Sequence, residues 1–501
     1  MKLLSSHNYL LILIMSLVLL WGCKQTETVV IEDAPTASAP ADTTEEYPSG
    51  DDDSDFRKLA MGEYQSITSF DPLLAENGTT LRALQLIYEG LVRLNADGNT
   101  VPGVAKSWEV SDDSLIYTFT LNQNIYYHDS DVFSTGTGRR LTAKDVKFVF
   151  ERMARPGNPS TAAKLFGDIK GFEPFYQEQH YVYEPEKRTL SGVSGIRTPN
   201  NNTVVFELHE KDSRFLEKLA TPYALIYPRE AVNNTQDSFA PVGTGPFTLS
   251  SQRADSTYIF AKSQKYHDSK TIRLNRVDIH TSSSESKLMQ QMGSGNIHLL
   301  PDLGPNIIQN VATDAGTLKT GFIDRYTLTK RNGINEVAVR YNPSADISEE
   351  DAARISRLAY ANTSSYFKQL PRPVVAVDST VNQQPSDTAI TKENLYAVFS
   401  ENPFVRTYLA NLANVLERQE VELNMTNLRV PTRNTDLWVT EHAPLINDPQ
   451  NKLNSNYPEL FRFRVYPTAL QRNEITGLHF NRYGWWLDLR GVSLPTADKL
   501  N

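Results

Sequence analysis

Apolar and polar residues alternate in "DDSLIYTFTLNQN", so that Leu115, Tyr117, Phe119 and Leu121 fall on one face at period two. This pattern predicts a half-buried strand, entered from the turn "NADGN". The spacing becomes helical in "LTAKDVKFVFERM", where Val146, Val149, Phe150 and Met153 form one stripe. Thr142, with Asp145 three residues on, gives that helix a capping-box start. A second helix is predicted in "TTLRALQLIYEGL", with Leu81, Leu84, Tyr88 and Leu91 in line and a stop near Gly90. "SESKLMQQMGSGNIHLL" reads as helix, glycine stop and short strand, and the polar, proline-bearing "PRPVVAVDSTVNQQPSDTAITKEN" as a loop. Short units of both kinds without a repeat point to α/β or α+β lobes rather than a bundle or barrel.

One run shows no alternation. After Met1-Lys2, residues 9–21 are almost wholly apolar and end at Leu20-Trp21-Gly22-Cys23. The run is short for a permanent membrane span and has the layout of a secretory signal. Cys23 is the only cysteine in 501 residues, so neither an internal disulfide nor a cysteine-rich zinc site is available to it. "LWGC" resembles the bacterial lipobox, in which the peptide is cut before a cysteine that then carries acyl chains. A single chain binds membranes only marginally, whereas two or three would hold. The alternative is an uncleaved anchor with an incidental cysteine. Residues 24–55 carry ten acids, one lysine and three prolines, and are expected to form a disordered acidic tether. Its "DDD" run reads as solvated charge rather than a metal site.

The tether accounts for most of the net charge. Taking Lys2 and Lys24 from 50 basic residues leaves 48, and taking the ten tether acids from 59 leaves 49. The remaining body is nearly neutral, with no basic stripe to suggest nucleic acid as a partner. Patterns for catalysis are missing. The nine histidines are too dispersed for a local metal clip and there is no HExxH. "STGTGRR" lacks the GK[ST] of a phosphate loop, and "SGVSGI" lacks the spacing of a nucleophile elbow. No enzyme activity, cofactor or metal is expected.

Several segments in order resemble the extracytoplasmic solute-binding proteins of peptide- and nickel-type ABC importers. They are Asp71-Pro72, Tyr88-Glu89-Gly90-Leu91, Asp97-Gly98, Pro102 with Ala105 and Ser107-Trp108, His128-Asp129, "LTAKDVKFVFER", "PVGTGPF" from Pro241 to Phe247, and "MGSGNIHLL", where His298 replaces the usual aspartate. The resemblance implies an α/β fold of the two-lobed class II type with an extra inserted subdomain. It places a signal peptide at 1–22 and the lipidated cysteine with its tether at 23–55. The first lobe would take 56–282 plus 466–501, with the insertion at about 92–200, and the second lobe 283–465. A monomeric, lipid-anchored receptor on the periplasmic side of a bacterial envelope is implied. It would capture a peptide-like or other small polar solute and pass it to an ABC permease and its ATPase. A ligand-sensing envelope lipoprotein and an envelope hydrolase are the alternatives.

The resemblance also nominates cleft residues. Glu76 and Asn77 in "LAENG" sit where family members approach the ligand, as does the segment from Trp438 through "TEHAPLINDP". There Asp448-Pro449 matches an acid-proline anchor, Leu445 occupies the place of the aspartate that holds a peptide ammonium, and His442 the place of a tryptophan. A shifted alignment would give the ammonium role to Glu441. With Leu445 in place, a free amino terminus should gain nothing, because a buried ammonium without a countercharge costs several kcal/mol. The anchor itself is directly testable: Cys23→Ser should leave the protein in the soluble fraction or as unprocessed precursor. Recovery of the variant in membranes as mature, acylated protein would refute the lipobox assignment.

Overall fold

The computed structural model describes residues 57–495, apart from 76, 159, 234–237, 332, 346, 368–369, 371–374, 378–389, 400–401, 427–433 and 443–457, together with the short strand Thr28–Val29. Cys23, Glu76 and Leu445 lie outside the described residues.

Two sheets define two lobes. A mixed seven-stranded sheet runs in the order Phe247–Gln252, Thr257–Lys262, Arg276–Thr281, Lys58–Glu63, Leu299–Leu300, Thr468–Arg472, Tyr326–Lys330. Lys58–Glu63 lies parallel to Arg276–Thr281 and to Leu299. A six-stranded sheet runs Val375–Val377, Glu459–Val465, Asn335–Tyr341, Leu437–His442, Asn394–Phe399, Glu422–Thr426. A third, antiparallel sheet of Ala105–Val110, Ile116–Leu121, Thr203–Glu207 and Ile196–Asn200 forms the subdomain inserted into the first lobe. Among the described residues, the chain passes between the two large sheets twice, at 331–334 and at 466–467. The crossings touch: the Arg331 N–H donates to the Pro467 carbonyl at 2.9 Å.

Local patterning explains the elements. Tyr117, Phe119 and Leu121 are buried on one face of Ile116–Leu121, with Phe119 edge-on to Phe206 of the neighbouring strand. In the helix Ala143–Met153, the Asp145 carboxylate accepts the Thr142 N–H at 2.9 Å, and Val146, Val149, Phe150 and Met153 are fully buried. The helix Gly78–Ile87 stops three residues short of Gly90, because Tyr88 turns extended and Glu89 bridges to Ile226. The turn "PVGTGPF" seats on that helix end, where the Gly245 N–H donates to the Ile87 carbonyl at 2.8 Å. A Cβ on Gly243 would lie 2.0 Å from the same oxygen, so close backbone approach rather than a left-handed φ demands this glycine. His128 clasps the turn from the other side, pairing with the Gly245 carbonyl at 2.8 Å and accepting the Gly243 N–H at 3.4 Å.

The structure differs from expectation in three places. Residues 283–330, assigned to the second lobe, divide between the two. Leu299–Leu300 and Tyr326–Lys330 join the seven-stranded sheet, whereas Leu288, Met292, Ile307 and Ile308 pack into the core shared with the six-stranded sheet. The "PRPVVAVDS" segment holds an edge strand, Val375–Val377, in register with Val465, Arg464 and Phe463; two of its three residues are valines, which favour strands. In the tether, Thr28–Val29 pairs antiparallel with Glu109 and Trp108, at an edge strand whose unpaired backbone groups accept a further strand.

His298 replaces the resembling family's aspartate but remains an acceptor: its Nδ1 takes the Ala60 N–H at 3.0 Å. Burial, reinforced by Arg472, pushes its pKa down to about 4. The unfolded chain therefore binds an extra proton between about pH 6.5 and 4, and stability falls as pH falls through that window. His298→Asn, which keeps an acceptor without the titration, should remove on the order of 2 kcal/mol of this acid loss. Urea melts of both proteins at pH 7 and pH 4 measure it, and equal losses would refute the assignment.

Candidate functional site

Where the two crossings meet, the lobes enclose a cavity of about 60 Å³. The first lobe contributes Glu63 and Tyr64 at the end of Lys58–Glu63, Thr79 and Arg82 from the helix Gly78–Ile87, Asp302, and Trp485. The second contributes Asn335 and Val465 at the crossings, and Asn402, Pro403 and Phe404 at the start of the helix Pro403–Glu417. Asn402 caps that helix by accepting the Phe404 N–H at 2.7 Å and the Val405 N–H at 3.3 Å, and Pro403 has no N–H to offer.

Behind the cavity lie four charges. Arg82 is held by Glu63 through two bonds, Nε to Oε1 at 2.7 Å and Nη2 to Oε2 at 2.5 Å, and by Asp302 through Nη1 at 2.8 Å. Thr79 also donates to Glu63, at 3.1 Å. Arg331, on the outgoing crossing, donates to the carbonyls of Pro301 at 2.9 Å and Gly484 at 2.8 Å, and its Nη1 lies 3.8 Å from Asp302. Burial opposes the charge on Arg82, but Glu63 and Asp302 outweigh it and hold its pKa above the ordinary value. Arg331, with only Asp302 and the more distant Glu63 in its favour, is pushed down to about 10 by burial and still carries its proton at neutral pH. The side chains of Glu63, Arg82 and Arg331 are at most 2% exposed, whereas that of Asp302 is 31% exposed.

A second cavity, of about 70 Å³, lies wholly inside the first lobe, beside Glu89, Arg93, Tyr266 and Asp488. Its acids are spoken for: Glu89 pairs with His267 at 3.0 Å and accepts from Thr244 at 2.9 Å, while Asp488 pairs with Arg490 at 2.7 Å. Burial opposes the charge on His267, but the Glu89 hydrogen bond prevails and raises its pKa. Asp168, His209 and Glu210 converge at the surface, where Lys218 already neutralises Asp168 at 2.8 Å. The cavity between the lobes is the better candidate because both lobes build it.

The model for "Bacterial extracellular solute-binding proteins, family 5 Middle" matches residues 99–346. Over residues 99–346, about half of its length, the chain is a family 5 bacterial extracellular solute-binding protein. Among family-5 relatives, Di/tripeptide-binding protein 1 of Pseudomonas aeruginosa is 27% identical over 349 residues, covering 66% of this chain and 61% of the relative. Heme-binding protein A of Haemophilus influenzae is 27% identical over 283 residues, covering 54% of this chain and 47% of the relative. The chain thus matches about three fifths or less of the length of these curated relatives. The periplasmic binding protein DppA of Helicobacter pylori, solved in complex with peptide STSA, shares the fold, with a TM-score of 0.67 at 17% identity over 87% of this chain and 98% of that one.

Within this family-5 frame, the nominated residues take different places. Asn77 caps the helix that begins at Gly78: its Oδ1 accepts the Thr80 N–H at 2.8 Å and its Nδ2 donates to the Ser66 carbonyl at 3.1 Å. Its side chain thus serves the fold, next to the cavity-lining Gly78 and Thr79. Trp438 is half-buried in Leu437–His442, opposite Arg340, and is not among the residues lining the cavity. Glu441 and His442 end that strand opposite Val337 and Glu336, beside the cavity-lining Asn335. Sequence reasoning missed Arg82, Asp302 and Arg331. The available signal was an arginine inside a helix whose other buried residues are apolar or threonine.

Removing one member of a buried ion pair strands its partner, at a cost of about 3–5 kcal/mol. Arg82→Met should therefore destabilise the protein by that order in equilibrium urea unfolding. Combining it with Glu63→Leu should recover part of the loss, since no carboxylate is then left unpaired at Glu63. A cost below about 1 kcal/mol, the range of exposed pairs, would count against the network.

Proposed function

We propose that this protein is the substrate-binding component of an ABC importer, capturing a peptide-like or other small polar solute by closing its two lobes and delivering it to a membrane permease. The observation that carries this reading is a cavity built jointly by both lobes at two adjacent, short chain crossings, a geometry in which rotation about the crossings opens and closes the site. Membership of a solute-binding family supports it, as do relatives whose names denote di/tripeptide and heme binding. The solute's identity within that range is set by the cavity walls that both lobes supply. The protein acts as a binder rather than an enzyme: the cavity-facing titratable groups are engaged in ion pairs and hydrogen bonds that hold the walls. No helix among the described residues is long and apolar enough to cross a membrane, and anchoring through acyl chains on Cys23 would leave the folded lobes on the periplasmic side.

A ligand that binds only the folded protein stabilises it by mass action, by about 2.7 kcal/mol at a hundredfold excess over Kd. Thermal melts of the mature protein against di-, tri- and tetrapeptide mixtures and against native host extract should show a concentration-dependent rise in Tm. Mass spectrometry of solute released from protein purified from its host then identifies the ligand. No stabilisation by any mixture, and no co-purifying solute, would defeat the reading.

A further inference from the structure

We propose that Asp302 is the receptor in the interlobe cavity for a positively charged group of the ligand, specifically an ammonium. This rests on the reading of that cavity as the ligand site. Among the described residues, the charged side chains lining it are Glu63, Arg82 and Asp302. Both oxygens of Glu63 are occupied, Oε1 by Arg82 and Oε2 by Arg82 and Thr79. All three nitrogens of the Arg82 guanidinium are engaged, Nε and Nη2 by Glu63 and Nη1 by Asp302 and the Gly484 carbonyl at 2.5 Å. Both side chains are also only 2% exposed, which puts them out of a ligand's reach.

Asp302 differs from them. It is the outermost member of the network, 31% exposed where the other three are at most 2%. Its Oδ2 receives one donor, Arg82 at 2.8 Å, although a carboxylate oxygen can accept two. Its Oδ1 is shielded from solvent and has no hydrogen-bond partner, since Arg331 lies 3.8 Å away and directs both Nη groups to backbone carbonyls, so the carboxylate's charge is incompletely met and Oδ2 is the oxygen with capacity for a further donor. The network is neutral as a whole but polarised, with its arginines inside and an incompletely satisfied carboxylate at the cavity.

Among the described residues, the opposite wall supplies no compensating positive side chain. The helix Pro403–Glu417 presents its N-terminus there, but the end is closed: Pro403 lacks an N–H, and Asn402 takes those of Phe404 and Val405. A ligand anion would meet the negative end of the network and no free donor on that helix. A ligand ammonium would complete the coordination of Asp302 in a site of low dielectric, where charge-assisted hydrogen bonds are strong. The countercharge then comes from the first lobe, so recognition of an ammonium does not depend on Leu445.

The test is calorimetry of the full mature protein with trialanine, N-acetyl-trialanine, trialanine amide and an N-acetyl tripeptide carrying one lysine. The wild type should bind trialanine at least tenfold tighter than its acetylated twin, and amidation should change affinity much less. Partial recovery by the lysine peptide would show that the site takes an ammonium from a side chain too; its failure would restrict the site to amino termini. Asp302→Asn should bring the free-to-acetylated ratio close to one, and Asp302→Glu should keep most of the preference, with melts of the ligand-free variants reporting their folding. Equal wild-type affinity for the free and acetylated peptides overturns the assignment whether or not the variants fold, as does an Asp302→Asn variant with the wild-type ratio. Both of those results leave the binder reading standing. Binding of none of the four peptides removes the peptide-binding reading, and the role of Asp302 with it.

Discussion

Four charges taken out of water beside the chain crossings are the constraint around which the rest is arranged. Each isolated ion there would cost several kcal/mol, so the position of one dictates the others. Glu63 ends a central strand, Arg82 sits on the helix that covers it, Asp302 follows the short strand Leu299–Leu300, and Arg331 begins the passage to the second sheet. Their mutual pairing ties the first lobe's sheet, its covering helix and one crossing into a single block. The carbonyls of Pro301, Tyr483 and Gly484, which receive Arg331, bring the C-terminal segment into the same block.

This arrangement separates what must stay rigid from what can turn. The core of the first lobe continues without a break into the inserted sheet, from Leu59 through Phe119 to Trp485. The other core joins Leu288, Ile307 and Val311 to the second sheet's Val337, Leu409 and Phe463. The strands of 283–330 and the side chains of the same stretch therefore belong to different bodies, which explains why a boundary drawn at one residue could not describe it. Under the proposed closure, this stretch is where the lobes bear on each other, and the charge block holds one side of the joint still.

Local structure was legible because local rules decide it. Period two placed Tyr117 and Phe119 inside, and the Thr142 and Asp145 pair marked a helix start that the structure forms as such. Ordered motifs also carried the family and the two-lobed fold. The site was less legible, for physical reasons. Arg82 and Asp302 are 220 positions apart, and neither has a neighbour in sequence that announces the other. Asn77 looked available for a ligand, yet an asparagine directly before "GTTL" is also a favoured helix cap, and the cap is what it forms. His298 looked like a lost aspartate, but either side chain supplies an acceptor for the Ala60 N–H.

All six strands of the second sheet lie between one outgoing and one returning crossing, in the run of chain from 335 to 465. In evolutionary terms that run is a cassette. Its strands and helices can be rewritten, lengthened or shortened without rethreading the first lobe, provided that the two joints and the charges beside them are kept.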